Sequence, residues 1–164
     1  MAAGSTYTPI ATTTLGSSQS SVTFNSFSGY TDLILIINGL HSSSVNDGYG
    51  LQFNSDTGTN YSTTYLLGSG SAASSGRVTN QTRALCGWLS TDIGTYINHI
   101  QNYSNTTTYK PIVSRGSQTN TNTYLNANVS LWRSTSAITS ILVKPDSGTF
   151  SAGMTLTIYG ITAA

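Results

Sequence analysis

Asp56-Thr57-Gly58 is the tripeptide around which aspartic proteolysis is built. That chemistry needs two such carboxylates sharing one proton, which a dimer could supply. Here the tripeptide follows Phe53-Asn54-Ser55 and leads into polar Thr59-Asn60, so it reads as a turn between two strands. Asn54, Asp56 and Asn60, or Asn46 and Asp47, offer oxygens to calcium, but each stretch has one carboxylate where tight calcium loops use several. His41 and His99 lie in different segments and lack the spaced partners of a zinc site. Cys86, His99 and Asp92 make a nucleophilic triad on paper only, because no motif groups them. No glycine-rich phosphate loop lies between a strand and a helix. The expectation is therefore no catalytic set, no metal site and no cofactor.

Aromatic side chains are the better candidates for function. Ten tyrosines and two tryptophans sit among Asn, Ser and Thr. Exposed aromatics flanked by amides stack on sugars or pack against protein partners, whereas paired tyrosines across strands merely line a sheet. Strand phase places Trp132 and Tyr159 outward, and Tyr7, Pro9 and Ile10 form an extended stretch near the N-terminus. These five residues are the expected partner contacts.

The elements that must position them are strands. The chain has 164 residues, 37% of them hydrophobic and only 7% charged, with no glutamate. An ordinary soluble domain carries roughly 25% charged residues. Ser, Thr and Asn disfavour helix interiors, and Thr and Tyr suit a pleated surface. Strand signals recur between Gly and Ser clusters from residue 7 to residue 161, and no helical stripe interrupts them. The pattern predicts one all-β domain over residues 1–164, an antiparallel, jelly-roll-like β-sandwich of about ten short strands with little or no helix. Residues 1–15 are either its first strand or an extended arm. Residues 33–37, apolar on both faces, make a central strand; residues 69–76 make a loop; Pro9 and Pro111 suggest edge positions. Alternation from Leu125 predicts that Leu125, Ala127, Val129 and Leu131 face the core, as do Leu156 and Ile158 near the end.

Charge and length exclude several partners. The net charge is +1 with no basic cluster, which argues against nucleic-acid binding. The longest apolar run, residues 33–37, is far too short to span a membrane, and the first residues lack the basic start and apolar core of a secretory signal. Cys86 is the single cysteine, so no internal disulfide framework exists, and its apolar setting suggests a buried structural thiol.

Three segments together carry a family resemblance: Phe53-Asn54-Ser55-Asp56-Thr57-Gly58-Thr59-Asn60-Tyr61-Ser62, Ile100-Gln101-Asn102-Tyr103-Ser104-Asn105, and Leu131-Trp132-Arg133-Ser134-Thr135-Ser136-Ala137-Ile138. With the ending Gly153-Met154-Thr155-Leu156-Thr157-Ile158-Tyr159-Gly160-Ile161, they resemble small β-sandwich structural proteins on the virions of tailed bacteriophages, of the cyanophage kind. The resemblance covers most of the chain from about residue 50 onward and brings no catalytic residues with it. It implies a non-enzymatic virion protein made in the host cytoplasm. The first expectation is a capsid decoration or cement protein, a homotrimer that binds the major capsid protein and stabilises the assembled head. The alternative is a tail-fibre or appendage module that binds host-surface glycan. One domain without a shaft favours decoration.

Overall fold

The computed structural model describes residues 6–40, 47–118 and 125–162. These residues form twelve strands, all paired antiparallel, and no helix. One sheet has eight strands in the order β1 (Tyr7–Thr14), β12 (Thr155–Ile161), β3 (Asp32–Gly39), β8 (Gly94–Ile100), β9 (Lys110–Gln118), β10 (Leu125–Trp132), β5 (Tyr61–Gly68) and β6 (Ala73–Gln81). The other has four, in the order β2 (Val22–Asn25), β11 (Ser140–Pro145), β4 (Asp47–Phe53) and β7 (Ala84–Leu89). The molecule is an all-β, jelly-roll-like antiparallel sandwich.

Period-two alternation explains the core between the sheets. Leu33, Leu35 and Ile37 of β3 and Leu156 and Ile158 of β12 point inward and lose all exposure. Leu51 and Phe53 of β4 and Ile141 and Val143 of β11 meet them from the four-stranded sheet. Each such aliphatic side chain contributes about 1.5–3 kcal/mol on burial.

Several expectations need correction. Residues 69–76 are not one loop, because β6 begins at Ala73 and pairs with β5 through Ser74, Ser75 and Gly76. A strand of small polar residues has little to bury, and this one sits at the sheet edge, where it needs to bury little. Pro111 is not on an edge strand, since β9 lies between β8 and β10. It is tolerated at the second position of β9, beyond the point where the β8 ladder ends at Ile100 and Ile112. Residues 7–14 of the considered arm are edge strand β1, paired with β12 through a bulge between Pro9 and Ala11; residues 1–5 lie outside the described residues.

The largest correction concerns β10. Its exposure alternates in the sense opposite to expectation: Asn126, Asn128, Ser130 and Trp132 are buried, while Leu125 is 62% and Val129 56% exposed. The reason lies across the sandwich. β7 is the edge strand of the smaller sheet, so its outward backbone groups have no strand partner. Side chains of the larger sheet replace one. Asn128 Nδ2 and Ser130 Oγ donate to the Leu85 carbonyl at 3.2 and 2.8 Å, and the Leu85 N–H donates to Thr63 Oγ1 at 3.2 Å. At Trp88 the carbonyl accepts from Tyr96 Oη at 2.8 Å and Gln118 Nε2 at 2.9 Å. A buried backbone carbonyl without a partner costs about 1–3 kcal/mol, as much as burial of one more aliphatic side chain contributes.

Candidate functional site: the outer face of the eight-stranded sheet

Turning β10 polar side inward sends its aliphatic side chains outward, and neighbouring strands do the same. Val129 lies opposite Val113 of β9 and Thr64 of β5. Ala127 lies opposite Arg115 and Leu66. The row continues across β8 and β3, where His99 and Ile97 face Ile34 and Ile36. Leu66 is 61% and Val113 40% exposed, so this is an aliphatic surface open to solvent over several strands. Contiguous patches of this kind mark interaction surfaces.

Two of the concavities on this face are relevant to binding. One, of about 380 Å³, lies among Leu66, Val113, Arg115, Ala127 and Val129. The other, of about 350 Å³, has a floor of Ile34, Ile36 and Ile97 and walls of Tyr7, His99, Val113 and Arg115. His99 Nε2 and Asp32 Oδ2 are 2.7 Å apart, and Asp32 Oδ1 also accepts the Asn102 N–H at 2.7 Å. The Arg115 side chain is exposed, and its guanidinium has no hydrogen bond or ion pair with any described residue.

The five expected contact residues divide between the two sides of the sheet. Tyr7 and Tyr159 sit on the outer face in an edge-to-face pair with ring centroids 6.4 Å apart, and Pro9 lies opposite Tyr159. Ile10 is half-buried and packs against the core. Trp132 is not an outward contact, being only 2% exposed. Its ring stacks on Tyr61 at 6.3 Å and tilts against Phe53 at 5.5 Å, the same inversion that turned the rest of β10. Sequence reasoning missed Leu66, Val113 and Arg115; two-faced apolarity in residues 33–37 was the one signal that the face was not solvated in the ordinary way.

The carboxylate and thiol weighed for chemistry have structural partners. Asp56 Oδ2 accepts from Trp132 Nε1 at 2.7 Å and from Asn60 Nδ2 at 3.0 Å; Asp56 Oδ1 accepts the Gly58 N–H at 2.8 Å, closing the turn. Burial pushes the Asp56 carboxyl upward, but the hydrogen bonds from Trp132, Asn60 and Gly58 outweigh it and hold the group below its ordinary 3.8. Asn54, also weighed for calcium, spends its Oδ1 on the Thr139 and Ser140 N–H groups and its Nδ2 on the Ala137 carbonyl. The Cys86 thiol is fully buried, and desolvation pushes it up to about 12. Among the described residues no group of three or more His, Cys, Asp or Glu is placed to hold a metal ion. His41 and Asn46 lie outside the described residues.

The segments that carry the sequence resemblance meet at one end of the sandwich. Asp56 reaches Trp132, the Arg133 N–H donates to the Asn60 carbonyl at 2.8 Å, and the Ile138 N–H donates to the Tyr103 carbonyl at 2.8 Å. Lys110, without exposed surface, donates from Nζ to the Thr108 and Thr135 carbonyls at 2.8 and 3.2 Å.

No protein-family model and no curated protein matches the chain. Similar solved structures include a galectin of Caenorhabditis elegans, LEC-6, at 12% identity and a TM-score of 0.37, covering 90% of this chain and 94% of that one. An exo-inulinase from Aspergillus awamori matches at 12% identity and a TM-score of 0.36 over 94% of this chain and 29% of its own. A xylan beta-1,4-xylosidase from Bacillus halodurans C-125 matches at 8% identity and a TM-score of 0.35 over 82% and 28%. Likenesses of this size assign neither ligand nor activity to this chain.

Proposed function

We propose that this chain is a non-catalytic structural subunit of a virion, a decoration protein that docks on the assembled capsid shell through the outer face of its eight-stranded sheet. The observation that carries the reading is the outward aliphatic surface of Leu66, Val113, Leu125 and Val129 in a chain with 7% charged residues. Such a surface suits a protein whose face is covered by a fixed neighbour. The resemblance to virion proteins of tailed phages supplies the kind of neighbour. A protein that binds only the assembled shell stabilises it by mass action, with no chemistry of its own. Self-association as a trimer belongs to the same reading and is open to sedimentation.

Quantitative mass spectrometry of purified virions whose genome encodes the chain tests the proposal. Copies on the order of hundreds, matching the repeating symmetry of a shell, are expected. A few tens or fewer would move the protein to a tail appendage, and absence from the particles would overturn the virion reading.

A further inference from the structure

The outer face has an imbalance of charge as well as exposed aliphatic surface. Arg115 stands over the cavity floor of Ile34, Ile36 and Ile97 with no partner among the described residues. Asp32, the partner of the cavity-lining His99, also accepts the Asn102 N–H. The other carboxylates are engaged as well: Asp56 with Trp132, Asp146 with Arg83, Asp47 with the Ser147 N–H, and Asp92 within its own surroundings. Among the described residues every aspartate is thus engaged, so a second copy of this face offers Arg115 no unengaged aspartate.

We infer that the cavity of about 350 Å³ beside Arg115 binds an acidic-aliphatic segment of a protein partner, an Asp or Glu side chain flanked by Leu, Ile or Val. The guanidinium takes the carboxylate as a forked pair, and the isoleucine floor takes the flanking side chain. The volume falls within the range of pockets that enclose small ligands, which suits one carboxylate and one aliphatic side chain. The floor is aliphatic, and the tyrosine on the wall, Tyr7, is paired edge-to-face with Tyr159, so the floor suits an aliphatic side chain better than a sugar ring. The inference deepens the proposed function by naming what the shell protein presents.

The test is a methyl-detected NMR titration of the full chain with two acetylated, amidated tripeptides, Leu-Asp-Leu and Leu-Asn-Leu. The Asp peptide is expected to shift the methyl signals of Ile34, Ile36, Ile97 and Val113, and to bind at least about tenfold tighter than the Asn peptide, as a charge-assisted pair should. Arg115→Gln, at an exposed position where folding is not at stake, should erase that preference while leaving the spectrum otherwise unchanged. Equal binding of the two peptides, binding of neither, or shifts elsewhere on the molecule would overturn the inference. So would glucuronic acid shifting the same methyls as strongly, which makes this an acidic-sugar site, or an Arg115-dependent dimer in sedimentation, which makes it a self-contact. Virion occupancy is measured apart from this. Peptide binding without the chain on particles leaves the pocket standing and removes the shell reading; full occupancy by Arg115→Gln without peptide preference does the reverse.

Discussion

The indole N–H of Trp132 donates to the carboxylate of Asp56 at 2.7 Å, joining the turn after β4 to the last residue of β10. The residue that most resembled a catalytic acid and the aromatic expected on the surface are thus partners of each other. Tyr61 closes the arrangement by donating its hydroxyl to the Asp56 carbonyl at 3.3 Å while accepting the Phe53 N–H at 3.0 Å.

Asp56→Asn should therefore cost stability. Exchanging a charged acceptor for a neutral one with three N–H donors around it is expected to cost about 1–2 kcal/mol in urea denaturation. An unchanged midpoint would mean that the turn does not depend on the charge. A defined hydrolytic activity abolished by the substitution in a folded protein would contradict the proposed non-catalytic role.

Acid should act through the same group. Because its folded value lies below 3.8, the carboxylate contributes stability that is fully present above the unfolded value. That contribution fades as pH falls through the lowered folded value. Denaturation midpoints recorded downward from about pH 5 should drop, and the drop should be shallower in Asp56→Asn.

The sidedness of β10 can be tested with a pair of substitutions. Val129→Ser removes an exposed aliphatic group and should change stability by less than about 0.5 kcal/mol. Asn128→Ala withdraws one of the two donors to the Leu85 carbonyl in a buried setting and should cost about 0.5–1.5 kcal/mol. The opposite ranking would mean that β10 presents its aliphatic face to the core.

Cys86 should be silent toward thiol reagents. A fully buried thiol pushed up to about 12 has almost no thiolate at neutral pH. Labelling with an aromatic disulfide reagent should proceed only at the rate of unfolding and become immediate in denaturant. Fast labelling of the native protein would place the thiol at the surface.

Much of this architecture was legible in the residues. β12 follows its alternation, with Leu156 and Ile158 buried and Thr155, Thr157 and Tyr159 half-exposed. β10 alternates just as cleanly, yet alternation states only that two faces differ, and hydrophobicity then picks the wrong one. What decides is the bare edge of β7, formed by residues distant in sequence whose unpaired carbonyls no local pattern announces. Part of the site was hidden for the same reason: Leu125, Ala127 and Val129 were assigned to the core. Arg115 stood out in neither composition nor motif and acquires meaning only beside Ile97 and Ala127, its neighbours across β8 and β10.

The bonds from Thr63, Asn128 and Ser130 to Leu85 also act as an alignment key between the layers. Aliphatic contacts between two sheets tolerate sliding, because one methyl substitutes for another. A directional bond does not: displacing β7 by one residue would strand each of these groups at once. The layers are therefore locked in translation as well as in separation, and neither can loosen alone. The Leu85 amide, on an edge strand where early exchange with solvent is the usual expectation, should instead exchange only when the whole domain opens.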